Sequence, residues 1–158
     1  MKKRLFIIMV APLLLNCGCE MMDKEQISQI NDEAVDTLTI GSNSFVLDAY
    51  LWRDFMPGNS RNGMVSINWL ISTNSVKIPD NINMVKQYVL YNDLIWIANY
   101  EDEAPDPSLP EYKMERISRN GPAWETEIYV DVISQIRDSK TKKDYYIRCK
   151  NVKVISTH

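Results

Sequence analysis

From Phe45 to Asp54 the chain alternates with a period of two. Phe45, Leu47, Ala49 and Leu51 share one pleat face, while Val46, Asp48, Tyr50, Trp52 and Asp54 share the other. That pattern predicts a long strand with one face buried and the other wetter. Arg53 falls on the apolar face, so either the strand has left the core there or a β-bulge shifts its register. Pro57 and Gly58 end the strand, and Asn59, Ser60, Asn62 and Gly63 complete a loop of turn formers.

The same period recurs along the rest of the chain. A short strand is predicted over 35–40, followed by a turn over 41–44. Met64 to Thr73 sets Val65, Ile67, Trp69 and Ile71 against Ser66, Asn68 and Ser72, which predicts a half-buried strand with Trp69 in the core. This run and Phe45–Asp54 read as a long hairpin. Met84 to Tyr91 and Leu94 to Asn99 are β-rich runs separated by Asn92-Asp93, a tight-turn signature. The second run is apolar on both faces, which predicts a central place in a sheet. Residues 101–111 hold three prolines and five carboxylates and form an extended loop. Strands follow over 112–118, 126–137 and 144–155. Regularly spaced strands without a convincing amphipathic helix predict an all-β fold. The expected form is an immunoglobulin-like antiparallel β-sandwich of about seven to eight strands, with a small closed β-barrel as the alternative.

At 158 residues and a formal charge of −3, the chain suits one domain and lacks the basic excess of a nucleic-acid binder. Its start has the form of an export signal. Met1 to Arg4 is basic, and Leu5 to Leu15 is uncharged and too short to span a membrane. The boundary that follows, with Cys17 and Cys19, resembles a bacterial lipoprotein signal, in which cleavage leaves a cysteine to be lipidated. Each candidate meets half of the usual pattern: Cys17 has Leu14 three places before it but follows Asn16, and Cys19 follows Gly18 but has Asn16 three places before it. Cleavage before Cys19 is the preferred reading and Cys17 the alternative. The expected organisation is a lipoprotein signal peptide over 1–18, a flexible tether over 19–33 and a single β-domain over 34–158. Glu20, Asp23 and Glu25 resemble the acidic export signals that send many lipoproteins of the Bacteroidota to the outer face. The expected address is therefore the outer membrane of the cell envelope, reached through the N-terminal lipid. Loss of Cys17 and modification of Cys19 leave Cys149 without a disulfide partner, and it reads as a packing residue beside Tyr145 and Ile147.

Chemistry is sparse. The only histidine is the terminal His158, which removes Ser-His-Asp and Cys-His sites and leaves too few ligands for zinc. No catalytic residue, metal or cofactor is expected. Glu101, Asp102, Glu103 and Asp106 lack the spacing of a calcium loop and read as a solvated acidic segment. The side chains singled out for ligand contact are Tyr50, Trp52, Arg53, Asp54 and Trp124. Rings such as these can stack on sugars or anchor a protein partner, whereas Arg53 can also cover a ring and donate to loop carbonyls. The segments Trp52-Arg-Asp-Phe-Met-Pro57 and Gly121-Pro-Ala-Trp124 resemble those of uncharacterised small Bacteroidota lipoproteins with immunoglobulin-like folds. That resemblance implies a fold and an address but no activity. The expected function is a non-enzymatic binding or adhesion module for a protein or glycan. The rival reading is a small hydrolase using carboxylates such as Asp48, Asp54 or Asp131.

Overall fold

The computed structural model describes residues 24–55, 63–103 and 106–157. The expected signal peptide, Cys17, Cys19, most of the expected turn over 57–63 and His158 lie outside them. Eight strands form: β1 (Leu38–Ile40), β2 (Asn43–Asp54), β3 (Met64–Ser72), β4 (Ile82–Tyr91), β5 (Leu94–Asn99), β6 (Lys113–Ser118), β7 (Tyr129–Asp138) and β8 (Lys143–Thr157). They make one curled sheet in the order β5-β4-β7-β8-β2-β3-β6, with β1 paired to β2. The fold is all-β and sandwich-like. Its two halves are continuous through β8, whose first part pairs antiparallel with β7 and whose end pairs parallel with β2. That parallel pair departs from the purely antiparallel sheet expected.

β2 buries the face its alternation assigned. Phe45 and Leu51 are fully buried and Leu47 nearly so, while Asp48 is exposed. No bulge intervenes before Arg53, which pairs with Met64 at the end of the ladder, where the core gives way to the rim. β3 is reversed relative to expectation. Its register places Ser72, Leu70, Asn68 and Ser66 opposite Phe45, Leu47, Ala49 and Leu51, so these four point inward. Val65, Ile67, Trp69 and Ile71 point outward, and Trp69 is not a core residue. The polar inward groups pair across the interior, with Asn68 Oδ1 and Gln87 Nε2 left without a partner among the described residues. Asn68 Nδ2 donates to Gln87 Oε1 of β4 at 2.7 Å and to Ser66 Oγ at 2.9 Å. Beside them the Tyr100 hydroxyl donates to Ser134 Oγ at 3.0 Å, and burial raises its pKa.

β5 lies at the end of the sheet, not at its centre. It is apolar on both faces because Trp96 and Ala98 meet the main core while Ile95 and Ile97 meet a second cluster on the outside. That cluster is completed by a helix the strand pattern did not announce. Residues 24–33, expected as part of a flexible tether, form α1 (Lys24–Glu33). Its Lys, Glu and Gln residues are straight-chain helix formers. Ile30 and Ala34, four apart, land on one side and pack against Tyr88 and Ile133.

The free edges β5 and β6 approach each other as the sheet curls. Glu101 N–H donates to Ile117 O at 2.8 Å, and Ser118 Oγ donates to Asn99 O at 3.2 Å. Farther along, Gly121 exchanges backbone hydrogen bonds with Met64, which extends the β6 side toward Trp96 of β5.

Leu51→Ala should cost roughly 2–5 kcal/mol through the cavity it leaves, whereas Asp48→Ala should stay within about 0.5 kcal/mol. Asn68→Ala removes the donor to Gln87 Oε1 and should cost about 1–3 kcal/mol, but Asn68→Leu combined with Gln87→Met should cost less than either single change. Urea unfolding of the leaderless chain measures all of these, and an additive double variant would contradict the pairing.

Candidate functional site

Cross-strand pairing gathers the outward side chains of β2, β3 and β6 into one surface. Tyr50 stands beside Ile67, Trp52 beside Val65, and Ile67 in turn beside Ile117 of β6. Tyr50 is 42 % exposed, and its ring lies 5.5 Å from that of Trp52 at 42°. Trp69 is held rigid at the margin. Its indole N–H donates to Glu115 Oε2 at 2.6 Å, and Lys113 Nζ sits 4.4 Å from the ring centroid. The result is an apolar centre of aromatic and β-branched side chains with Asp48, Lys113 and Glu115 around it. On the other half of the sheet α1 covers the corresponding outer face. On the β2–β3–β6 face Tyr50 is exposed, while Trp52, Val65, Ile67, Trp69, Ile71 and Ile117 are half-buried.

Arg53 and Trp124, named separately in the sequence, meet in space. Arg53 Nη1 donates to Trp124 O at 2.7 Å, across 71 positions, while its guanidinium carbon lies 4.7 Å from the Phe55 ring centroid. The arginine thus covers a ring and ties a loop carbonyl, but the loop is the one entering β7. Trp124, expected to be an exposed turn residue, is half-buried against the core with its ring 5.8 Å from Tyr91. Together with Gly121, on which Trp96 packs, it makes the seam between the sheet's edges at this end. Arg53 and Trp124 therefore serve the rim of the fold, and Tyr50 and Trp52 belong to the open face. Asp54 pairs with Thr157 through its backbone, and its side chain is outside the described residues.

The described acids are either exposed or held by neighbouring donors. Asp48 is exposed on the outer face of β2, and Asp131 accepts the Asn151 N–H at 3.0 Å on the other half of the sheet. In the acidic loop, Glu101 and Glu103 both bind Arg119, and Asp106 accepts the Ser108 N–H at 2.8 Å. Burial, with the charge of Asp48 second, pushes the Cys149 thiol upward and disfavours the thiolate a nucleophile requires. No group of three or more His, Cys, Asp or Glu side chains suited to a metal gathers among the described residues.

Sequence reasoning missed Val65, Ile67 and Trp69 as surface residues because it assigned the apolar face of β3 to the core. A signal was present. Gln87 shares the inward face of β4 with Met84 and Val89, the strand being shifted by a bulge at Val85, and its amide is the complement that makes an inward Asn68 tolerable.

At the seam, a Cβ on Gly121 would lie 2.8 Å from three carbons of the Trp96 ring. Gly121→Ala should therefore displace that ring and cost about 1–3 kcal/mol, read as a lower urea midpoint with altered near-ultraviolet dichroism. An unchanged spectrum would mean that Trp96 does not close the edge. No protein-family model, curated protein or solved structure matches this chain.

Proposed function

We propose that this is a lipid-anchored protein of the bacterial outer membrane that acts without catalysis, docking a protein partner on the outer face of β2, β3 and β6. One observation carries the reading: β3 turns Val65, Ile67, Trp69 and Ile71 outward while turning Ser66, Asn68 and Ser72 inward. An outward strand face built of large apolar side chains, even half-buried by its neighbours, is better matched to cover by a partner than to water. The face also has the anatomy of a protein interface, with rings and branched aliphatics at its centre and charges at its rim. A glycan would stack on Tyr50 and Trp52, but Val65, Ile67 and Ile117 offer its hydroxyls no hydrogen bonds. The hydrolase reading is disfavoured because Asp48 is exposed and the Asp131 carboxylate is taken up by the Asn151 N–H. The lipid anchor rests on the leader and on Cys19.

A photo-crosslinking residue placed at Ile67 in living cells should give discrete protein adducts, and one at Arg137, on the other half, should not. Adding Ile67→Lys to a probe at Tyr50 should abolish the adducts while leaving the melting midpoint nearly unchanged. Adducts indifferent to Ile67→Lys, or competition by cell-wall glycan with no protein adduct, would defeat this assignment.

For the anchor, labelled palmitate should be lost from Cys19→Ser and retained in Cys17→Ser. The reverse pattern would move the lipid to Cys17.

A further inference from the structure

Six large apolar side chains are exposed among the described residues, and three of them, Phe55, Leu94 and Tyr129, occupy the same end of the sheet. The pairing fixes this. Leu90 of β4 lies opposite Asp131 of β7, so the Asn92-Asp93 turn, Leu94 and Tyr129 are at one level. β8 ends beside the end of β2, where Phe55 N–H donates to Thr157 O at 3.0 Å. The chain also enters the domain here. Lys24 and Ile27 at the start of α1 line a groove of about 340 Å³ with Asn92, Asp93 and Leu94.

Leu94 is 50 % exposed and Tyr129 is 59 % exposed, one on each side of the β4–β5 turn. Cys19 stands five residues before Lys24, and five residues reach at most about 18 Å. We infer that this end of the domain rests on the phospholipid bilayer, with Leu94 and Tyr129 in the interface between headgroups and acyl chains. The inference builds on the lipid anchor proposed above. Tyrosine suits that interface because its ring is apolar and its hydroxyl can stay wet, and leucine suits the layer beneath. The contact does not depend on anionic lipid. Glu127 pairs with Lys153 at 2.5 Å, and Asp93 and Glu125 at this end offset Lys24 and Arg53, so no basic excess is presented. In this orientation the β2–β3–β6 face stands clear of the membrane, on the side away from α1, where a partner can reach it.

The test uses the full, lipidated chain on phosphatidylcholine vesicles, with Cys149→Ser and a single spin label at Leu94→Cys, Tyr129→Cys or, at the opposite end, Val76→Cys. Accessibility to oxygen and to a water-soluble nickel complex is read for each label. Labels at 94 and 129 should gain oxygen access and lose nickel access several-fold relative to the leaderless protein in solution, while the label at 76 should not change. Adding anionic lipid should leave these values where they are. Equal nickel access at all three positions would overturn the inference, as would shielding of 94 and 129 from both reagents, which would place a second copy of the chain there. The mass of the N-terminal peptide separates the two failures. An unacylated Cys19 removes the anchor and the inference with it, whereas an acylated Cys19 with water-exposed labels removes only the orientation.

Discussion

Because β8 pairs with β7 over its first part and with β2 at its end, the two halves of the protein share a single strand of 15 residues, and the remaining geometry follows from how that strand bends. The bend has a local cause. The register with β7 slips between Val130 and Val132, so that Lys150 and Asn151 of β8 together face Asp131 and β8 carries one extra residue. Asn151 takes a positive φ of 55°, and its N–H is captured by the Asp131 carboxylate at 3.0 Å. A bulge of this kind sharpens the twist of a strand and lets it leave one sheet for another. Three residues later Val154 is opposite Leu51, and both are fully buried. Were Asp131 only a surface acid, the strand would have little reason to turn at that point.

Much of the strand content was legible in the sequence because a two-residue period survives wherever a strand has one wet face. The β2 alternation, the Asn92-Asp93 turn and the inward set Val130, Val132 and Ile136 of β7 all fall where that period places them. What the pattern cannot carry is the identity of whatever covers an apolar face. β5 looked central because both its faces are apolar, yet its outer face packs against Ile30 of α1 and the adjoining Ala34, about 60 positions away. For β3 the same ambiguity reversed inside and outside. Its apolar face points outward and is half-buried, and its polar face is buried through an amide pair whose other half is on β4. Both errors arise from partners distant in sequence, which a local alternation does not contain.

The candidate residues divided along similar lines. Arg53 and Trp124 were recognisable as unusual, but their use is mutual and could not be read from either segment alone. The guanidinium's bond to a carbonyl and its stacking on Phe55 stiffen the rim at which the sheet's edges meet. Trp96 on Gly121 and the Tyr91–Trp124 contact continue the same seam. An edge strand left open is a template for pairing with another chain, so these contacts also limit unwanted association through β5 and β6.

The attachment of α1 has a mechanical consequence. The helix holds the sheet through Ile30 and through Asn31, which accepts from Arg148 Nη1, but Val35 just beyond it is clamped on both sides: Val35 N–H donates to Tyr146 O at 3.1 Å, and Arg148 N–H donates to Val35 O at 2.9 Å. Lys150 adds an ion pair to Asp36 at 2.9 Å. A pull from the N-terminal side therefore peels the helix before it reaches the strands. Ten residues lengthen from about 15 Å as a helix to about 35 Å when drawn out. Load applied at that terminus is absorbed as roughly 20 Å of travel, at the cost of a few side-chain contacts, while the paired β-strands bear no strain.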